Sequence, residues 1–169
     1  VYLDSAATSQ KPISVLDAER NFYLNHNAAA HRGAHQLAEE ATEAYEGARS
    51  EVAAFLGVNP DEIIFTKSAT ESINLVAFSL GNAEPGSRFH IKPGDEIVIS
   101  EMEHHANLVP WQELAKRAGA ILKWFKVTDE GRLDLSNLDA LINRRTKIIA
   151  LTHQSNVLGT INDFSEISR

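Results

Sequence analysis

Four short apolar runs punctuate this chain, and they decide what it can fold into. They read EIIFT (Glu62–Thr66), DEIVIS (Asp95–Ser100), AILKWFKV (Ala120–Val127) and TKIIALTHQ (Thr146–Gln154). Each has strand length and is rich in β-branched or aromatic residues. Between them lie stretches of helical period. SATESINLVAFSLGN turns Ile73, Val76, Ala77 and Leu80 inward. NLVPWQELAKRAG is a helix if Pro110 lies in its first turn. DLSNLDALI reads as a short helix capped by Asp134 or Ser136. Upstream, ISVLDAERNFYL is loosely helical after Pro12. LAEEATEAYEGARSEVAAFLGV sets Ala41, Tyr45, Ala48, Val52 and Phe55 on one face and ends at Gly57. Strand and helix alternating at this rhythm predict an α/β fold, with a mostly parallel sheet flanked by helices. We expect residues 1–60 to form an N-terminal segment with its helices and residues 61–169 to begin the large sheet domain.

Composition narrows the function classes. The 169 residues carry a formal net charge of −7 and no basic cluster, which argues against a nucleic-acid surface. No apolar run has the length of a membrane span. There is no cysteine, so neither a disulfide nor a thiolate site can form within this sequence. The chain opens on VYLD without a methionine and closes on INDFSEISR, which reads as the first turns of a helix. A fragment of a longer protein is the expectation, because a helix needs more length than that to be stable.

In parallel sheets, ligands bind beyond the carboxyl ends of the strands. Three of the four ends here carry polar clusters: TKSATES, SEMEHHAN and THQSNVLGT. In the first, Ser68 and Glu71 have capping-box spacing, and a helix start suits a phosphate. Thr70 adds a hydroxyl in the first turn. The bland reading of the same spacing is a cap and nothing more. No GxxxxGKS is present, so a single phosphate monoester fits better than a nucleoside triphosphate. In the second cluster, His104 and His105 are adjacent, and adjacent side chains diverge on either a strand or a helix. A shared metal ion is therefore not expected, and the remaining choices are a structural histidine or a flat ring stacked on a planar ligand. In the third, Asn156 offers an amide and Gly159 permits a tight turn. Alone it would be an ordinary turn. Converging on one edge, the three suit a planar, phosphorylated ligand with a phenolic oxygen, and pyridoxal 5′-phosphate has that form.

Five segments, YLDSAATSQKP, AAHRGAHQLAEEAT, FTKSATESINLVA, GDEIVISEMEHHANLVPWQ and IIALTHQSNVLGT, strongly resemble a known family. They are similar to the cysteine desulfurases that supply sulfur for iron–sulfur cluster assembly. Those are pyridoxal-phosphate-dependent enzymes of fold type I in the class V aminotransferase superfamily. The resemblance implies that His104 stacks on the pyridine ring and shuttles protons in catalysis. It implies that Ala69 and Thr70 bind the phosphate, although Ala69 lacks the hydroxyl many relatives have there. Asn156 then contacts the phenolic oxygen and meets the substrate carboxylate. Ala6 and Ala7 resemble the loop lining the substrate pocket, and His31 and Arg32 a segment near the active site of the family's homodimer. His105 is given no ligand role.

The resemblance further implies a cytoplasmic homodimer, with L-cysteine as substrate and a sulfur acceptor or iron–sulfur scaffold protein as partner. It also implies that the cofactor-binding lysine, the aspartate facing the pyridine nitrogen, the sulfur-accepting cysteine and the small C-terminal domain lie beyond Arg169. Two alternatives stand beside this reading: selenocysteine lyase or another lyase of the class, and a non-catalytic fragment that serves only binding or dimerisation. Residues 1–169 mixed with pyridoxal phosphate are therefore expected to give no borohydride-trappable adduct at one specific lysine. An absorbance scan followed by peptide mapping checks this, and a single modified lysine would contradict it.

Overall fold

The computed structural model describes residues 1–168. The chain divides into two compact units, Val1–Phe65 and Thr66–Arg169.

The first unit holds two helices, α1 (Ile13–Asn25) and α2 (Gln36–Leu56). Gly57 ends α2 in the left-handed conformation at φ 70°, as the sequence predicts, and its N–H returns to the last turn. The predicted apolar face of α2 is a correction. Ala41 is buried, but Ala48 is exposed, Val52 and Tyr45 are substantially open, and Phe55 is 90% exposed. Burial falls instead on Ala38, Ala41 and Ala53. Below α2, the Arg49 guanidinium lies over the rings of Tyr45 and Phe65, at 5.1 and 5.2 Å from their centroids. It also donates to the carbonyl of Ile63. That contact explains a second correction: Glu62–Thr66 is not a strand. Pro60–Glu62 forms a 3-10 turn, the Ile63 N–H closes back on Pro60 O, and the Ile63 carbonyl is taken by Arg49. The backbone groups a ladder would need at Ile63 are already spent.

The second unit holds α3 (Ala69–Gly81), β1 (Glu96–Ser100), α4 (Val109–Ala118), β2 (Ile121–Phe125), α5 (Leu138–Leu141) and β3 (Thr146–Ile149). Among the described residues, three strands therefore stand where four were expected. They form a wholly parallel sheet in the order β2-β1-β3. Pro110 does lie in the first turn of α4. The α5 prediction is half right: Asn137 stands at the N-cap position without a side-chain capping bond, while Asp134 accepts the Ser136 N–H and only shapes the approach. The segment after Ile161 makes turns rather than a helix through Ser168.

The core sits where α3 and α4 cover the sheet. Ile97, Ile99 and Leu114 are fully buried, with Ala77, Ile91, Trp111 and Ala115 around them. Ile73 and Leu80 of α3 pack on this cluster as predicted, but Val76 is 48% exposed. Gly81 of α3 lies against Leu114 and Arg117 of α4. A Cβ there would lie 2.9 Å from Leu114 Cδ1, so a larger residue obliges the Leu114 side chain to shift in the core.

At the amino end of β1, a buried carboxylate joins all three strands. Glu96 accepts from Lys123 Nζ of β2 at 3.0 Å, Asn143 Nδ2 at 2.7 Å and Arg145 Nη2 at 2.7 Å, just before β3. Burial pushes the Glu96 carboxyl up. The hydrogen bonds from Lys123 and Asn143 and the charges of Lys123 and Arg145 outweigh it and hold the group below its ordinary value. A carboxyl lowered in the folded state stabilises above the ordinary glutamate range, and the contribution is lost as pH falls through the folded value. Urea midpoints followed from neutral to acid pH should thus fall for the native sequence. Glu96→Gln should start lower and fall less steeply, and parallel curves would contradict the assignment.

Candidate active site

Three local structures of the second unit carry the predicted site residues. The first is the start of α3. Ser68 is its N-cap, extended at φ −168°, and its hydroxyl accepts the Glu71 N–H at 3.3 Å. The box predicted with Glu71 is displaced by one residue, since the Glu71 carboxylate takes the Lys67 N–H at 2.5 Å rather than that of Ser68. Ala69 and Thr70 follow in the first turn, where helical N–H groups have no partner within the helix. Both residues are exposed. Their N–H groups and the Thr70 hydroxyl make a donor set suited to a phosphate, with the helix dipole behind it.

The second structure is the turn after β1. His104 is extended and caps a 3-10 turn over His105–Asn107. Its Nδ1 accepts the Ala106 N–H at 3.1 Å, so the neutral ring carries its proton on Nε2. The ring is exposed, with His105 at 6.2 Å between centroids and inclined at 61°. The two imidazoles diverge as their adjacency requires, and no group of three or more His, Asp or Glu suited to a metal occurs among the described residues. The same turn packs against α3.

The third is the turn after β3. Here the β1–β3 ladder runs on to Ala150, whose N–H donates to Val98 O at 2.9 Å. Ser155 is 3% exposed, and its hydroxyl accepts the Val157 and Leu158 N–H groups. Gly159, at φ 73°, closes the turn onto Ser155 O. The predicted tight turn is therefore present, and it presents Asn156 outward with its side chain exposed. Asn162, 5% exposed, fastens the loop from behind by donating to Thr152 O at 2.8 Å. The sequence reading missed Asn162, and its position ten residues downstream of its partner gave no local signal.

The remaining predicted site residues lie in the first unit. Ala6 and Ala7 are exposed in a turn closed by the Ala7 N–H on Asp4 O. His31 is the chain's one non-glycine residue at positive φ, 60°, among the described residues. Two bonds hold it there: its N–H to Thr42 Oγ1 at 2.9 Å, and its Nε2 to Glu46 Oε1 at 3.0 Å. Such a backbone persists only when its surroundings fix it, and it marks a place to look for function. Arg32 is exposed beside it.

A class-V aminotransferase family profile matches residues 1–169. The chain belongs to the class-V aminotransferase family. It is 56% identical to a probable cysteine desulfurase of Streptomyces coelicolor, over 100% of this chain and 40% of that protein. Among solved structures, it is similar to the apo cysteine desulfurase of Thermococcus onnurineus NA1, with 42% identity and a TM-score of 0.89. That match covers 99% of this chain and 40% of the other. It is also similar to SspA in complex with cysteine, at 27% identity and a TM-score of 0.80, over 98% of this chain and 46% of the other. The chain spans 40% of the length of each of the two cysteine desulfurases and 46% of SspA. Among the described residues, no helix is long and apolar enough to cross a membrane.

The cap at Ser68 is the part of these structures that a single substitution tests most directly. Ser68→Ala should cost about 1 kcal/mol of stability, and Ser68→Asp should recover most of it. Urea unfolding of both variants checks the pair, and equal losses would show that the hydroxyl is not the working group.

Proposed function

We propose that this chain carries one side of the pyridoxal 5′-phosphate site of a cysteine desulfurase, which takes sulfur from L-cysteine and leaves L-alanine. The observation that carries the reading is the presence, within one unit, of an open helix start at Ala69–Thr70 and an exposed imidazole whose Nδ1 is already tied, on a turn that packs against the same helix. The donor set fits the cofactor: N–H groups and a hydroxyl for a phosphate, a flat ring for a flat ring, and an amide for a phenolic oxygen. The family match and the neighbour solved with cysteine support the same choice.

When bound, pyridoxal phosphate supplies an electron sink for negative charge at the substrate Cα. The chain's own residues then do the following. Ala69 and Thr70 hold the phosphate through backbone N–H groups and the Thr70 hydroxyl. His104 would hold the ring with its imidazole, leaving its Nε2–H free as a proton donor. Asn156 donates its amide to the phenolic oxygen or the substrate carboxylate. No thiol is available in these residues, so the sulfur-accepting cysteine of this reading lies outside them. Sulfur leaves as a persulfide for an acceptor or scaffold protein, and the full-length protein works as a homodimer.

Full-length protein given L-cysteine, pyridoxal phosphate and a thiol reductant should release alanine and sulfide in equal amounts. Failure to form alanine would sink the proposal. In the same assay, Thr70→Ala should raise the cofactor Kd about ten-fold through one lost hydrogen bond to a charged group. His104→Ala should lower kcat about 100-fold, the range of a lost acid–base group.

A further inference from the structure

Between the His104 turn and the Asn156 loop sits a carboxylate that the roles above leave unused. Glu103 is half-buried and immediately precedes His104. Its Oε1 accepts from Ser100 Oγ at 2.5 Å and from the Thr152 N–H at 2.9 Å. Its Oε2 accepts from Asn107 Nδ2 at 2.7 Å. Ser100 is the last residue of β1, Asn107 closes the turn that His104 opens, and Thr152 begins the loop that leads to Asn156. The hydrogen bonds continue inward, because Asn107 Oδ1 accepts from Trp111 Nε1 at 2.9 Å and Trp111 is only 4% exposed in the core.

The direction of these bonds fixes the chemistry needed at position 103. Trp111 Nε1 can only donate, so Asn107 must turn its oxygen to the indole and its NH2 to Glu103. The Thr152 N–H can only donate as well. Both oxygens of residue 103 must therefore accept, which a carboxylate does and an amide of the same shape cannot. No Lys or Arg pairs with Glu103 among the described residues. Its charge is met by neutral donors alone, each of which belongs to a segment of the active-site edge.

We propose that Glu103 is the positioning residue of this site: its carboxylate clamps the His104 turn and the Thr152–Asn156 loop to the end of β1, fixing the imidazole in its Nε2–H form. The proposal rests on the cofactor site described under the proposed function.

A swap of hydrogen-bond polarity tests it in the full-length protein. Glu103→Gln puts an NH2 against either the Thr152 N–H or the Asn107 NH2. Asn107→Asp alone sets two carboxylates face to face. Combined, the two changes restore every bond, with Asp accepting from both Gln and Trp111. Each single variant should raise the pyridoxal phosphate Kd about ten-fold, and the pair should return it to within about two-fold of the native value. Nitrogen-15 spectra of the His104 ring, read without cofactor, should show the Nε2–H tautomer in the native and double-variant proteins and a mixture in each single variant. A native ring and Kd in Glu103→Gln would overturn the proposal, and so would a defect in the double variant as large as in the singles. If the native protein fails to bind pyridoxal phosphate, the functional reading falls, while the ring spectra still decide the role of Glu103.

Discussion

Every residue of β1 is buried, and that single strand organises the second unit. A central parallel strand has no water for its polar groups, so each must be met by protein. Its neighbours β2 and β3 satisfy the backbone. The side chains at and beyond its ends are met by carboxylate chemistry: Glu96 at the amino end binds Lys123, Asn143 and Arg145, and Glu103, past the carboxyl end, binds Ser100, Asn107 and Thr152. The two acids differ in their partners. Glu96 meets two cations and holds the strands together as structure. Glu103 meets only neutral donors, and all of them lie on the edge that carries the candidate site.

Much of the second unit was legible in the sequence because its signals are local. Alternating apolar runs and helical periods gave the parallel sheet, Ser68 gave the start of α3, and Gly159 gave the turn after β3. The failures occurred where a distant residue decided the outcome. EIIFT has strand composition, yet Arg49, fourteen residues earlier, takes the Ile63 carbonyl. The α2 stripe has good helical spacing, yet Val52 and Phe55 are not covered by the described residues. Periodicity reports which face is apolar and says nothing of what packs on it.

The site divides in the same way. His104, Thr70 and Asn156 drew attention through unusual residues at strand ends, and all three sit in exposed turns or first helical turns of the same unit. Their supports did not. Glu103 looked like one acid in a polar run, and its partners lie three, four and forty-nine residues away. The identity of residues that face a ligand is read from type and position. The identity of those that hold them requires the fold, because their role is defined by hydrogen-bond direction across separate segments.

The indole of Trp111 has a further use. The chain has two tryptophans, and the other, Trp124, is 48% exposed on β2. An enclosed indole and a wetted one emit at different wavelengths and yield differently to a dissolved quencher. Only the enclosed one is joined through Asn107 and Glu103 to the imidazole turn. The protein therefore carries its own unlabelled optical gauge of that turn, with a second fluorophore on the surface as the internal reference.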